Sequence, residues 1–267
     1  MQLNNARILL TGACGGIGRE VAVLLADAGA KLALAGRDQV ALQDLCAKVA
    51  KRGGAASGIA VDLTQPEGPE QIAKDALAIL GNVDVLINNA GVLDFRAFSK
   101  QDPARIEQIF RINLISPVLL TRALLPHMIE KGAGHIVNIG STFGSIAFAY
   151  FATYSSSKFA MRGFSQALRR ELVDTDIKVT YVAPRATQTS LNNTAVNLMN
   201  QALGIGMDAP KKVAARIVHA IQHDARDVYI GWPERLFVRI NAVLPGLVDR
   251  ALHKQHAQMA AFETQAD

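Results

Sequence analysis

Residues 6–18 read ARILLTGACGGIG, an aliphatic run that breaks into glycines and passes into an amphipathic stretch near 17–29. The run has the composition of a buried strand, and the stretch that follows has the spacing of a helix. Glycines at 12, 16 and 18 let the backbone turn tightly and let a pyrophosphate approach the helix N-terminus. Their order is Gly-x-x-x-Gly-x-Gly rather than the commoner Gly-x-Gly-x-x-Gly, and a plain glycine turn is the competing reading. Cys14 lies inside the loop as a small residue that fits there, and its oxidation would block entry of a cofactor.

The same alternation continues along the chain. Strand-like runs fall at 6–11, 31–36, 56–61, 83–88, 135–140, 177–182 and 227–231, with helical patterns near 39–52, 69–80, 103–130, 152–174 and 210–223. Continuously apolar strands alternating with helices predict a mostly parallel sheet covered on both faces. With right-handed crossovers this becomes an α/β, Rossmann-like, doubly wound fold of seven strands. Residues 1–232 are expected to form one domain with a substrate loop at about 185–209, and 233–267 a C-terminal amphipathic helical extension.

The bulk numbers narrow the class of protein. A chain of 267 residues, 50% hydrophobic and 19% charged, carries enough apolar mass for one large core and no disordered block. Its two cysteines, Cys14 and Cys46, have no metal-ligand spacing and read as free thiols of a reducing compartment. The stretch HIVNIGSTFGSIAFAYFATY is too often interrupted by polar residues to be a membrane span, and the N-terminal apolar run is too short for a signal peptide. A cytoplasmic location is therefore expected. The net charge of +5 admits an anionic partner, but the basic residues are scattered and no groove-reading element accompanies them, so no nucleic-acid role is expected.

The end of the second strand speaks to cofactor type. A site for NAD places an acidic residue there against the ribose 2′-hydroxyl. Here LALAGRD puts Gly36 at that point and Arg37 directly after it. A guanidinium suits a 2′-phosphate, which favours NADP. The alternative is that Arg37 is a solvated loop charge and Asp38 reads the ribose.

Residues 154–158 read YSSSK, and on a helix Tyr154 and Lys158 share a face. That spacing is common by chance. Around it, in order, stand TGACGGIG (11–18), VDL (61–63), INNAG (87–91), RIN (111–113), NIGS (138–141) and VAPRATQT (182–189). With these motifs in register, the sequence resembles the classical short-chain dehydrogenase/reductase family over roughly residues 6–190. The resemblance implies a catalytic set of Asn113, Ser141, Tyr154 and Lys158. It also implies cofactor contacts from Gly12, Cys14, Gly16, Ile17 and Gly18, from Arg37, Asp62 and Leu63, and from Asn89, Ala90 and Gly91. Pro184, Thr187 and Thr189 complete that set, with Tyr154 and Lys158 shared between cofactor and catalysis; no metal is implied. One departure stands out: the family carries Pro-Gly after the sixth strand, where this chain has Pro184-Arg185, and the sequence assigns Arg185 no role.

The chemistry of these residues can be stated beforehand. A phenol near pKa 10 has to shift down by roughly 2–3 units to exchange a proton readily, and Lys158 is the expected source of positive charge. Ser141, 13 positions before Tyr154, would orient a carbonyl and stabilise its oxygen, with Thr142 as rival. Asp102-Pro103 caps the long fourth helix, and within it Pro117 withholds the donor that the Asn113 carbonyl would otherwise receive. That carbonyl is either free to hold a water reaching Lys158, or the proline kink serves packing alone.

Phe143, Phe148, Tyr150 and Phe151 follow the serine, and Leu191, Leu198, Met199, Leu203, Ile205 and Met207 lie in a weakly helical segment, so an apolar ligand is expected. The resemblance therefore implies an NADP(H)-dependent oxidoreductase interconverting an apolar or lipid-like carbonyl and an alcohol, in a homo-oligomer. A catalytically idle NADP-binding sensor or scaffold is the alternative. In the tail, Leu236, Phe237, Ile240, Val243, Leu244 and Leu247 recur at helical spacing among Arg235, Arg239 and Arg250, broken by Pro245-Gly246. Packing on the protein or a twin subunit is the leading expectation, ahead of a lid over the pocket or contact with a membrane surface.

Overall fold

A computed structural model describes residues 1–263 of the chain. β1 (Arg7–Thr11), β2 (Lys31–Gly36), β3 (Ala55–Ala60), β4 (Val85–Asn88), β5 (Gly134–Ile139), β6 (Ile177–Ala183) and β7 (Asp227–Tyr229) form one sheet in the order β3-β2-β1-β4-β5-β6-β7. Every neighbouring pair is parallel. The order reverses between β1 and β4, where a doubly wound sheet opens a crevice at its carboxyl edge.

Helices cover both faces because the central strands are apolar on both. Ile8 and Leu10 of β1 face α1 (Gly16–Asp27), α2 (Gln39–Ala50) and α8 (Pro210–Gln222) in one core. Leu9, between them, points the other way, into a core with α3 (Gly68–Leu80), α5 (Ser116–Lys131) and α6 (Ala152–Glu171). This is the two-residue alternation of a strand buried on both sides.

The helix expected over 103–130 is one run in space but not one regular helix. α4 (Pro103–Phe110), capped by the Asp102 carboxylate on the Ala104 amide at 3.0 Å, passes into a wide π turn at Arg111–Ile115 before α5. The Ser116 amide reaches back to the Arg111 carbonyl, and Pro117 offers no amide to Asn113. By length and composition alone Pro103–Lys131 is apolar enough to cross a membrane, which the sequence reading did not register. Its apolarity has a nearer cause: Leu120, Leu124 and Met128 are buried against the sheet and α3.

The segment read as a weakly helical substrate loop contains α7 (Thr194–Ala202), capped by Asn193 on the Val196 amide at 2.9 Å. Beyond β7 come α9 (Glu234–Val243) and α10 (Pro245–Glu263), separated at the expected Pro245-Gly246 break. The last four residues of the 233–267 extension lie outside the described residues. α10 packs inward through Met259 and Phe262, beside Ala195, Val196 and Met199 of α7. Its Glu263 accepts from the Ala97 amide at 3.2 Å and pairs with Lys100 at 3.3 Å. On α9, Leu236, Phe237, Val243 and Leu244 do not pack on the chain's own core and are exposed, as is Leu247 at the start of α10.

Candidate active site

The glycine loop after β1 lies hard against other backbone. A Cβ on Gly12, whose φ is +62°, would stand 2.7 Å from the Ala90 Cα, and one on Gly18 only 2.2 Å from the Gly12 carbonyl oxygen. Close approach, more than flexibility, explains the glycines. Asn89 locks the crossing by donating its side-chain amide to the carbonyls of Thr11 (3.1 Å) and Gly12 (3.0 Å). The Thr11 hydroxyl in turn accepts from the amides of Asn89 at 3.0 Å and Ala90 at 3.1 Å. Thr11 was not among the residues singled out from the sequence; its place in the TGACGGIG stretch was the available signal.

A single cavity of about 530 Å³ runs along this carboxyl edge. Every residue expected to contact a cofactor lines it: the loop residues Gly12, Cys14, Gly16, Ile17 and Gly18; Arg37, Asp62 and Leu63; Asn89, Ala90 and Gly91; and Pro184, Thr187 and Thr189. Arg37 is exposed at the rim and has no carboxylate partner among the described residues. Asp38 caps α2, accepting from the Ala41 amide at 3.0 Å. The glycine cradle at the N-terminus of α1 and the length of the cavity fit a dinucleotide.

Ser141, Tyr154 and Lys158 line the same cavity, and Thr142, the rival to Ser141, does not. The Lys158 ammonium lies 5.7 Å from the Tyr154 ring centroid and donates to the Ile139 carbonyl at 3.1 Å. Asn113 stands behind this group rather than on the cavity wall. Its side chain accepts from the Val92 amide at 2.9 Å and donates to the Val92 carbonyl at 2.9 Å and the Ser157 hydroxyl at 3.0 Å. Asn113 thereby ties the loop after β4 to α6, a positioning contact made by its side chain rather than its carbonyl.

Burial sets the protonation states. It pushes the Tyr154 phenol up to about 12, with a hydrogen bond to Ser141 pulling the other way. It pushes Lys158 down to about 8. The downward shift expected for Tyr154 is therefore absent from the protein alone, because desolvation of a fully buried phenol outweighs its neighbours.

Two residues missed from the sequence hold the catalytic strand end in place. The Tyr181 hydroxyl of β6 donates to the Ser141 carbonyl at 3.2 Å and accepts from the Ser141 amide at 3.4 Å. Gly140 makes room for it, since a Cβ there would stand 2.2 Å from the Tyr181 ring. Asn241 of α9 donates to the Ser145 carbonyl at 2.8 Å, on the loop after Ser141. Arg185, left without a role by the sequence, lies on the cavity wall but directs its guanidinium to Asp208, at 2.9 and 3.1 Å, and to Glu234 at 3.3 Å.

The remaining wall is mostly apolar, with Arg105, Ser190, Asn192 and Asn200 among its polar members. Phe143, Phe151, Leu191, Val196 and Met199 contribute to it, together with Leu93 and Arg105, neither of which the sequence reading named. Arg105 donates to the Leu93 carbonyl at 2.5 Å. Phe148 and Tyr150 support the wall from behind: Phe148 stacks on Phe143 at 4.5 Å, and Tyr150 meets Phe95 edge-on at 5.8 Å. Leu198, expected over the pocket, is exposed instead.

Comparison with known proteins agrees with this geometry. The family model for short chain dehydrogenase matches residues 6–199. The ketoacyl reductase HetN of Nostoc sp. is 34% identical over 256 residues, covering 93% of this chain and 88% of its own. A short chain dehydrogenase/reductase from Burkholderia phymatum in complex with NAD shares the fold at a TM-score of 0.85 and 23% identity, covering 92% of this chain and 96% of its own. A metagenomic short-chain oxidoreductase in complex with NADP is 30% identical at a TM-score of 0.73, covering 86% and 97%.

Tyr181 offers a direct test of how Ser141 is held. Tyr181→Phe keeps the ring and removes the hydroxyl that bonds both the amide and the carbonyl of Ser141. The variant should fold and bind dinucleotide as wild type, while kcat falls about tenfold, the ~1–1.5 kcal/mol of a buried hydrogen bond. An unchanged kcat would show that the loop holds Ser141 without it.

Proposed function

The chain belongs to the short-chain dehydrogenase/reductase family, and from that premise we propose that it reduces an apolar ketone or aldehyde with NADPH. Membership makes it an NAD(P)-dependent oxidoreductase acting on CH–OH and C=O groups. The observation that carries the proposed direction is the buried Tyr154 phenol beside Ser141 and Lys158 on the wall of an apolar cavity.

When bound, the nicotinamide supplies the hydride. The chain's own residues handle the oxygen and its proton. Held at about 12 in the free protein, Tyr154 is fully protonated at neutral pH, the form that gives a proton to a carbonyl oxygen as negative charge develops there. Ser141 brings a second hydroxyl to the same wall, fixed by Tyr181, to orient the carbonyl. Lys158, still an ammonium below about pH 8, places positive charge one helical turn from the phenol and makes the proton easier to give.

Substrate and cofactor follow from the walls. Phe143, Phe151, Leu191, Val196 and Met199 offer apolar contact, and the two guanidinium groups nearby are turned onto protein partners, Arg105 onto the Leu93 carbonyl and Arg185 onto Asp208. Asp38 gives one carboxylate oxygen to its helix cap, and beside it on the cavity wall at the end of β2 stands the guanidinium of Arg37. Unpaired at the rim, that guanidinium suits a 2′-phosphate. Free thiols at Cys14 and Cys46 suit a reducing, cytoplasmic setting.

NADPH consumption against ketones and aldehydes of rising chain length tests the reading. Activity should grow with apolar length, and Tyr154→Phe should lose ~10²–10⁴-fold in kcat while still binding cofactor. A Tyr154→Phe enzyme keeping a tenth of wild-type kcat would remove Tyr154 as the acid.

The pH profile tests Lys158 separately. Because its value is lowered to about 8, the ammonium is present below that pH and lost above it, so kcat/KM for reduction should break downward near 8. Lys158→Arg, permanently charged, should lose that break even if it turns over slowly; a break that stays near 8 belongs to another group.

Arg37→Asp removes the phosphate partner and adds a carboxylate. NADPH affinity should drop about tenfold or more, the loss of a charge-assisted hydrogen bond, while NADH affinity rises. Equal wild-type affinity for both nucleotides would overturn the NADP assignment.

A further inference from the structure

α9 is fastened to the protein along one side only. Glu234 meets Arg185 at 3.3 Å, Val238 is buried, and Asn241 donates to the Ser145 carbonyl at 2.8 Å. These positions share a face at three- and four-residue spacing. The opposite face carries Leu236, Phe237, Ile240, Val243 and Leu244, and the apolar surface continues at Trp232 before the helix and Leu247 after it. Trp232 and Val243 are 71% and 77% exposed. Polar side chains could have filled that face at no cost to the fold, and soluble monomers seldom expose so large an apolar patch without a use for it.

The charge beside the patch indicates what covers it. Arg235 and Arg239 flank the apolar face, and Arg250 follows one helix later; all three are exposed and none pairs with a carboxylate among the described residues. Glu234, the sole acidic residue of α9, is turned inward onto Arg185. We propose that this face of α9 docks on an anionic lipid surface, with its apolar side chains among the acyl chains and its arginines at the headgroups. A basic helix of this kind lies in the plane of the interface. A second copy of the chain fits less well, because a two-fold contact would set Arg235 and Arg239 of both copies against each other with Glu234 turned inward, leaving Asp249 of α10 as the exposed carboxylate next along the chain. The helix is joined to the pocket wall through Arg185, which lines the cavity and meets Glu234.

The chain's single tryptophan, Trp232, is a built-in reporter. Full-length protein is mixed with vesicles of phosphatidylcholine alone, or of equal parts phosphatidylcholine and phosphatidylglycerol, and Trp232 emission and co-flotation are followed at low and high salt. The expected result is a blue shift and flotation with anionic vesicles only, reversed by salt. Arg235→Gln and Arg239→Gln should each weaken partitioning about fivefold, the effect of one basic residue near such a surface. The double variant Phe237→Ser/Leu244→Ser should lose the shift while reducing a small water-soluble carbonyl at the wild-type rate. Absence of binding to anionic vesicles overturns the proposal, as does binding that survives in both sets of variants. A blue shift that grows with protein concentration without lipid would assign the face to a second copy instead.

Discussion

The active-site crevice depends on one amide side chain. Asn89 bonds the carbonyls of Thr11 and Gly12 and so ties the end of β4 to the end of β1 at the point where the strand order reverses. Parallel strands leave their terminal carbonyls without partners, and a buried unpaired carbonyl is costly. Asn89 satisfies two of them with one group, which draws the glycine loop so close to Ala90 that Gly12 has no room for a Cβ. Gly91, next in the chain, brings the same loop to the catalytic side, where a Cβ would lie 3.4 Å from Asn113 and 3.6 Å from Lys158. The nucleotide end and the catalytic end of the cavity are thus held at a fixed distance by a few backbone contacts.

The catalytic group follows the opposite logic, because its energy comes from desolvation rather than from satisfied bonds. Tyr154 and Lys158 are buried side by side on α6, and burial disfavours the charged form of each: the phenol moves up and the ammonium down. The free protein stores a neutral acid next to a lysine whose charge is easily lost. A positive charge on the nicotinamide or a negative one on the substrate oxygen is then felt strongly, since little water is present to screen it. The Asn113 side chain fixes the loop at Val92 to α6 at Ser157.

The sequence made most of the frame legible, and the reason is locality. β1, β2 and β4 to β6 are continuous apolar runs because helices cover both faces, and the motifs sit at strand ends because loops there touch ligand. Ser141, Tyr154 and Lys158 were readable for the same reason, as residue types at fixed short spacings. What stayed hidden depends on pairings between distant segments. Nothing local to Tyr181 says that its hydroxyl grips Ser141, 40 residues earlier, although Gly140 is the matching small residue. The Asp38 cap was readable in principle, from an acidic residue before a helical run, but competed with its possible role at the ribose. The upward push on Tyr154 in the protein alone was not legible, because spacing reveals a neighbouring charge and not the depth of burial. The helical periodicity of α9 was legible, whereas its inner face at Glu234, Val238 and Asn241 was not, since an apolar stripe does not state which partner covers it.

Arg185 shows how a departure from a family pattern becomes readable once its surroundings are known. A glycine after β6 leaves space; here the guanidinium fills it, binding Asp208 ahead of α8 and Glu234 at the start of α9. The cost is met at Gly231, where a Cβ would stand 2.5 Å from the Arg185 side chain and where φ is +115°, a conformation that suits glycine. Arg185 and Gly231 are one structural choice made at two places in the sequence. Asp208 also pairs with Lys212 at 2.8 Å, so one buried carboxylate anchors the end of the loop that carries α7. The same arginine therefore joins the wall of the cavity, the segment over it and the helix whose far face is apolar. Tied at Arg185 and at Asn241, the inner face of α9 is held to the loops after β6 and after Ser141, while Leu236, Phe237, Val243 and Leu244 stand exposed.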